Sequence, residues 1–429
     1  MLFNKIFKSD QKTAEAGGSR AGGKIKARKV HVRVSTRDLR VGMTVTKLDK
    51  PWEESRYMFQ YVKIETPSDI RDMQEECSFV YVDFDEDSLK AAKRKNRTRD
   101  NGLAGNTPQV SVREELNTSN QVHSLATQAV SSLFDDMRLG AELNGTVVKQ
   151  AVSGCVESIL RNQDASLWLT RMKNKDVGTA KHSMNVSALS IIMAKASGMS
   201  TREMEDVGVC GMLHDVGKTR LPSSILEKRG PLTASEHEEM RRHTIYGRDI
   251  LLSSKNVMSG AADVAHSHHE RPDGTGFPNK LNADSIPLYA KIVSIAEAYD
   301  NMTTTQVYRE ACSPSLALQE IYSQRGQQFD EDLIILFIEA IGIFPPGSIV
   351  EMVNNEVGIV LANTADKLRP RVIMILDSFG EPTSQRIVDL SRLETDREGA
   401  IYQIKTTHSD GAFGIHIDEF QRAGLRIGE

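Results

Sequence analysis

The sequence predicts a mainly α protein, a helical bundle with a small α/β domain before it and a small β-rich appendage after it. Three observations predict this. Apolar residues recur at helical spacing over about residues 120–345, alternate at strand spacing from Val30, and alternate again beyond Phe344-Pro-Pro-Gly. The 429 residues suit two to four domains, and 39% hydrophobic content is enough for a soluble core. The net charge of −4 gives no whole-chain footprint for binding a nucleic-acid polymer. An anionic ligand would therefore need local cations or metals.

In chain order, residues 1–28 read as a flexible tail. Leu2, Phe3, Ile6 and Phe7 share one side of a short helix, but the following Ala-Gly-Gly stretches favour disorder over a membrane or partner anchor. The α/β domain spans 29–89. Val30, Val32 and Val34 form a half-buried strand, Thr44 to Leu48 a second and Phe79 to Asp83 a third, with a short helix over Ser68 to Cys77. Trp52, Tyr57, Phe59 and Tyr61 fit core and interface packing better than a ligand face. The basic run Lys90 to Arg99 and the polar stretch to Pro108 set a linker over 90–119. The helical domain covers 120–345. The appendage, 346–429, carries strands at Ile349 to Val353, Val357 to Leu361 and Val372 to Leu376.

Cys77, Cys155, Cys210 and Cys312 have neither metal-ligand spacing nor a disulfide framework, as suits a reducing cytoplasm. No apolar run approaches the roughly 20 residues of a membrane-spanning helix, so no transmembrane segment is expected.

Chemistry concentrates in residues 176–310. Gly208 to Lys218 reads GVCGMLHDVGK, which places His214 and Asp215 late in a buried helix, started by the capping box Ser200 to Glu203 and ended at Gly217. On a helix the two side chains point about 100° apart, so they are expected to serve adjacent metals and hardly a single one. A lone His-Asp pair is more often a hydrogen-bonded core histidine. Here, however, His182, His243, His268 and His269 lie on other segments of helical pattern. His243 is expected on the middle of the helix opened by the capping box Thr233 to Glu236. A shared metal centre answers the need of each desolvated imidazole for a partner. Imidazoles suit iron, manganese, nickel or zinc, and Asp215 can bridge two ions about 3.5 to 4 Å apart. His268 and His269 project differently, toward different ions or toward one ion and a substrate. RPDGTGFP then breaks the helix, and its glycines let backbone approach a phosphate closely. Lys218 can set an ammonium beside a phosphate or leaving oxygen.

These residues resemble the HD-GYP phosphodiesterases in five ordered blocks: TAKHS (Thr179 to Ser183), HDVGK (His214 to Lys218), RRHTIYG (Arg241 to Gly247), HHERPDGTGFP (His268 to Pro278) and AEAYDNMTTTQVYR (Ala296 to Arg309). The resemblance covers about residues 120–345. It implies a helical HD domain with a centre of two or three divalent metal ions, iron or manganese foremost, held by His182, His214, Asp215, His243, His268, His269 and Glu297, with Asp215 bridging. It implies hydrolysis of cyclic di-GMP to pGpG or GMP by a metal-activated hydroxide, with Asp215 and Lys218 catalytic. Substrate contacts fall on Lys218, Asp273, Gly274, Gly276, Phe277 and Arg309. Asp300 matches a residue that holds a ligand histidine. Val34 to Asp83 also looks like the small domain of unknown function often found ahead of such domains, notably in GMTVTKLDKPW and CSFVYVD.

Several positions depart from the family pattern. Gly178 stands where three-metal members carry a carboxylate, which favours two metals, and nearby Asp176 reads as an N-cap. Phe277 replaces tyrosine, losing a phenolic hydrogen bond while keeping ring packing or base stacking. Glu297 replaces aspartate and is one methylene longer. Gln306 replaces arginine, leaving Arg309 to pair with a phosphate. These departures motivate a second reading, a weak or inactive cyclic di-GMP receptor acting through protein partners; a third is an HD phosphohydrolase on another nucleotide. Partners left open are diguanylate cyclases, other signalling proteins and a second copy of the chain.

Overall fold

Alternating valines do build the first strand. In the computed structural model, which describes residues 29–36, 39, 44–48, 62–64, 66–77, 79–85, 108–171, 178–305, 310–393, 395, 399 and 401–422, the chain forms two units, 1–104 and 105–429. The tail 1–28, the group Trp52, Tyr57, Phe59 and Tyr61, the run Lys90 to Arg99, Asp176, Gln306 and Arg309 lie outside the described residues.

In the first unit, β1 (Lys29–Ser35), β2 (Thr44–Leu48), β3 (Val62–Lys63) and β4 (Phe79–Asp85) form an antiparallel sheet in the order β1-β4-β2-β3. Helix α1 (Pro67–Glu76) starts at Thr66, whose side chain and that of Asp69 cap each other's backbone amides. Met73 on α1 packs with Val45, Leu48, Ile64 and Val80 in one small core.

The second unit is mainly helical. It contains α2 (Val112–Arg138), α3 (Gly145–Thr170), α4 (Gly178–Ala196), α5 (Thr201–Leu213), a 3-10 turn (Val216–Arg220), α6 (Ser223–Leu226), α7 (Ala234–Arg241), α8 (His243–Ser253), α9 (Ser259–Ser267), α10 (Leu288–Thr303), α11 (Pro314–Ser323) and α12 (Glu331–Ile341). Helix α2 begins at Val112, inside the stretch expected as linker, because Ser111 and Glu114 form a capping box there. Val152, Ile159, Leu189, Ile192, Val207, Met212, Ile292 and Ile295 belong to a single core, so α3, α4, α5 and α10 wrap the segment that carries the candidate site.

Beyond α12, five antiparallel strands run in the order β8-β7-β6-β5-β9. These are β5 (Ile349–Met352), β6 (Val357–Ala362), β7 (Arg371–Leu376), β8 (Pro382–Asp389) and β9 (Ile404–His408), followed by α13 (Ile417–Arg422). Ile349, Val357 and Ile359 share a core with Val112, Leu116, Ala165 and Trp168. The Trp168 indole donates to the Leu361 carbonyl at 2.9 Å, and Asp164 accepts from the Asn363 backbone at 2.9 Å.

Candidate metal centre

Helix α5 delivers the His-Asp pair. Its Ser200–Glu203 capping box forms as expected, but the helix ends at Leu213, with His214 as its C-cap and Asp215 just beyond at φ −101° and ψ 9°. This corrects the expectation of two helical side chains splayed apart. Freed from helical spacing, the pair turns inward together, with His214 Nε2 3.4 Å from Asp215 Oδ2. His243 is likewise the first residue of α8 rather than the middle of a helix, because α7 ends at Arg241. His268 caps α9 and His269 follows it, and their rings lie 4.1 Å apart between centroids. They converge on one spot instead of diverging.

Gly217 makes this assembly possible. A Cβ there would lie 1.9 Å from the His243 carbonyl oxygen and 2.5 Å from the Gly247 nitrogen, so only glycine lets the 3-10 turn rest on α8.

The donor atoms fall into two groups, each with all its members within 4.8 Å of one another: His182, His214, Asp215 and Glu297 in one, His243, His268 and His269 in the other. Asp215 stands between them. Its Oδ2 is 3.8 Å from His182 Nε2, and its Oδ1 is 3.4 Å from His243 Nε2 and 3.9 Å from His268 Nε2. Glu297, despite its extra methylene, reaches the first group and lies 3.9 Å from His269 Nδ1.

Four rings are held in one tautomer. His214 Nδ1 bonds the Gly211 carbonyl at 2.6 Å, His243 Nδ1 that of Met240 at 2.7 Å, His268 Nδ1 that of Ala265 at 3.0 Å, and His182 Nδ1 the Asp300 carboxylate at 2.7 Å. Carbonyls and carboxylates only accept, so each Nδ1 carries a proton, and in the neutral ring Nε2 turns a lone pair inward. His243 Nε2 and His268 Nε2 then face each other at 3.3 Å with no proton between them. Burial lowers the pKa of His243 to about 4 and of His268 to about 3, so protonation at neutral pH does not relieve the clash. For His269, burial and the neighbouring His268 push the pKa well down. Burial works against a charge on Asp215 too, but Lys218, His214 and His243 outweigh it and hold this carboxyl well below its usual range. Burial also opposes charge on His214, and the adjacent Asp215 more than offsets it, raising that pKa. His214 Nε2 and Asp215 Oδ1 are buried without a hydrogen-bond partner. An ionised carboxylate ringed by inward lone pairs fits divalent cations.

The remaining expected site residues take varied places. The Lys218 ammonium pairs with Asp215 Oδ2. Phe277 stacks on His269 at 4.7 Å between centroids, and the Arg241 guanidinium lies 5.2 Å from the same ring, so ring packing is what the structure adopts. Asp273 accepts from the Thr275 backbone at 2.9 Å and from its hydroxyl at 2.6 Å, holding its own loop. Gly274 has φ +75°, and a Cβ at Gly276 would lie 2.4 Å from the Arg271 nitrogen, so both glycines are required by the turn. Sequence reasoning missed Glu270. It is 2% exposed and accepts the amides of Asn279 at 2.6 Å and Leu281 at 2.8 Å, pinning the loop after the histidines. Its only signal in the sequence is its place directly after His268-His269.

A helical core converging on a His-Asp pair defines an HD domain, and the HD domain family matches residues 162–333. A domain of unknown function (DUF3391) matches residues 31–146. The chain is 34% identical over 298 residues to a cyclic di-GMP phosphodiesterase of Pseudomonas aeruginosa, which covers 68% of this chain and 72% of that relative. It is 37% identical over 158 residues to a cyclic di-GMP phosphodiesterase response regulator of Xanthomonas campestris pv. campestris, over 36% of this chain and 42% of the other. Among solved structures, an HDG"Y"P protein from Bdellovibrio bacteriovorus is similar with a TM-score of 0.45 and 17% identity, over 73% of this chain and 99% of that one. The chain belongs to the HD-GYP family of HD-domain phosphodiesterases.

Proposed function

We propose that the chain hydrolyses cyclic di-GMP, to pGpG or GMP, at a two-metal site of iron or manganese. The observation that carries the metal reading is the pair of lone-pair nitrogens of His243 and His268, 3.3 Å apart beside an ionised Asp215, an arrangement that a cation stabilises. The substrate class follows from the relatives named as cyclic di-GMP phosphodiesterases.

In this reading His182, His214, Asp215 and Glu297 hold one ion, and His243, His268, His269 and Asp215 hold the other. Such ions polarise phosphoryl oxygens and lower the pKa of water toward neutrality. The chain's own part is preorganisation. Backbone carbonyls and Asp300 fix the rings before any ion arrives, so little is lost in ordering them. The Lys218 side chain is 26% exposed against 0% for Asp215, so of that pair it is the one within reach of an entering phosphate. There it stabilises negative charge developing on phosphate or leaving oxygen. In the same reading the loop pinned by Glu270 offers Gly274, Gly276 and Phe277 to the substrate, and Arg309 would supply a further phosphate contact. No helix among the described residues is long and apolar enough to cross a membrane; we place the enzyme in the cytoplasm.

The test is cyclic di-GMP hydrolysis by anaerobically purified protein supplied separately with Fe²⁺ and Mn²⁺, with products separated by chromatography. Turnover that vanishes in Asp215→Ala is expected. A full metal load with tight dinucleotide binding and no turnover would replace the enzyme by a receptor.

A further inference from the structure

We propose that Asn185 is the positioning residue of the metal ligand His182 and ties that ligand to the end of helix α3. This builds on the metal-centre reading above.

Asn185 is 1% exposed and follows His182 by one helical turn on α4, so the two side chains share a face. Its Nδ2 donates to Asp300 Oδ1 at 2.7 Å, while Asp300 Oδ2 accepts from His182 Nδ1 at 2.7 Å. The same Nδ2 reaches the carbonyl of Thr170, the last residue of α3, at 3.3 Å. Asp300 is therefore gripped at both oxygens. Without Asn185 its Oδ1 would keep only the longer contact from Thr304 Oγ1, at 3.4 Å, and the carboxylate could swing away from the imidazole. The orientation of His182 matters because its Nε2 must face Asp215 Oδ2, 3.8 Å away, to share an ion with it.

Burial also lowers the pKa of His123 of α2 to about 4, so that ring is neutral. Asn185 Oδ1 and His123 Nε2 are both buried without a hydrogen-bond partner. The end of helix α3 and helix α10 thus both reach His182 through one side chain. A structural asparagine satisfying only the α3 terminus would leave His182 indifferent to its replacement.

Two readouts on the full chain separate these roles. The first is ¹⁵N imidazole NMR of metal-free protein, with His182 assigned by difference against His182→Gln, which reports the Nδ1–H tautomer without any metal. The second is Mn²⁺ titration followed by electron paramagnetic resonance. In Asn185→Leu, folded by circular dichroism, the His182 tautomer signal is expected to broaden into exchange. One Mn²⁺ affinity should fall by about tenfold or more while the other holds, as for loss of a group that orients a ligand. If Asn185→Leu does not fold, the near-isosteric Asn185→Asp, which turns an oxygen onto Asp300, should give the same losses. A folded variant with an unchanged His182 signal and both affinities intact overturns the proposal. Wild-type protein that takes up no Mn²⁺ would count against the phosphodiesterase reading, and the NMR signal would still decide this one.

Discussion

Gly217→Ala tests how the two donor groups are held together. Its Cβ would sit 1.9 Å from the His243 carbonyl oxygen, whereas ordinary contact begins at 3.4 Å, so the two backbones must part by roughly 1.5 Å. Both colliding groups are backbone, so no side chain can rotate aside. Gly217 is not in the left-handed region, and alanine carries no conformational penalty beyond the clash. His243 Nε2 is 3.4 Å from Asp215 Oδ1, and widening that gap stretches the pocket beyond two bonds of about 2.0–2.2 Å to a common ion. We expect about 1–3 kcal/mol of destabilisation from overpacking. Misplacing a reacting group by an ångström costs about 100-fold in rate, and we expect at least that here. The assay is thermal unfolding together with metal per chain after dialysis and cyclic di-GMP turnover. Wild-type metal content and kcat in the alanine variant would refute the reasoning, whatever happens to Tm.

Further predictions follow from the same geometry. Asp215→Ala should stay folded but lose metal from both donor groups, visible as metal per chain by mass spectrometry; retention of both ions would refute the bridging position. Glu270→Ala leaves the Asn279 and Leu281 amides without their acceptor, a loss of about 1–3 kcal/mol, and should raise KM more than it lowers kcat. In metal-free protein His243 and His268 have folded pKa values of about 4 and about 3 against 6.5 unperturbed, so the unfolded chain binds protons first as pH falls. Their contribution is fully present above about pH 6.5 and declines down to about pH 4 and then 3, by about 1.4 kcal/mol per pH unit for each histidine. Urea midpoints of chelator-treated protein across that range check this, and a flat profile would show that these rings protonate freely when folded.

The seven side chains that the structure brings together were legible because histidine and carboxylate carry their chemistry in their identity. Their directions were not. Val216 continues the apolar period of α5, so the period gave no sign that the helix ends at Leu213 and that Asp215 turns in. Strand β3 is two residues long, too short for alternation to register, and β8 and β9 are rich in polar side chains. Asn185 and Asp300 meet across 115 residues, a pairing no local pattern encodes. By contrast, the capping boxes at Ser200 and Thr233 were readable because both partners lie within one turn.

The seam between α3 and the C-terminal sheet bears on which pieces of this chain can be inherited or transplanted. The HD match begins at residue 162, where Asn162 leaves the helical conformation within α3, and stops at 333, before the strands that cover Trp168. Cutting there would strip one wall from a shared core and leave the Trp168 indole without the Leu361 acceptor. The portable module is therefore longer than its signature. A chimera that respects the physics would exchange residues 108–422 as one block, strands included, and recombination within it should be selected against even though every metal ligand would survive the cut.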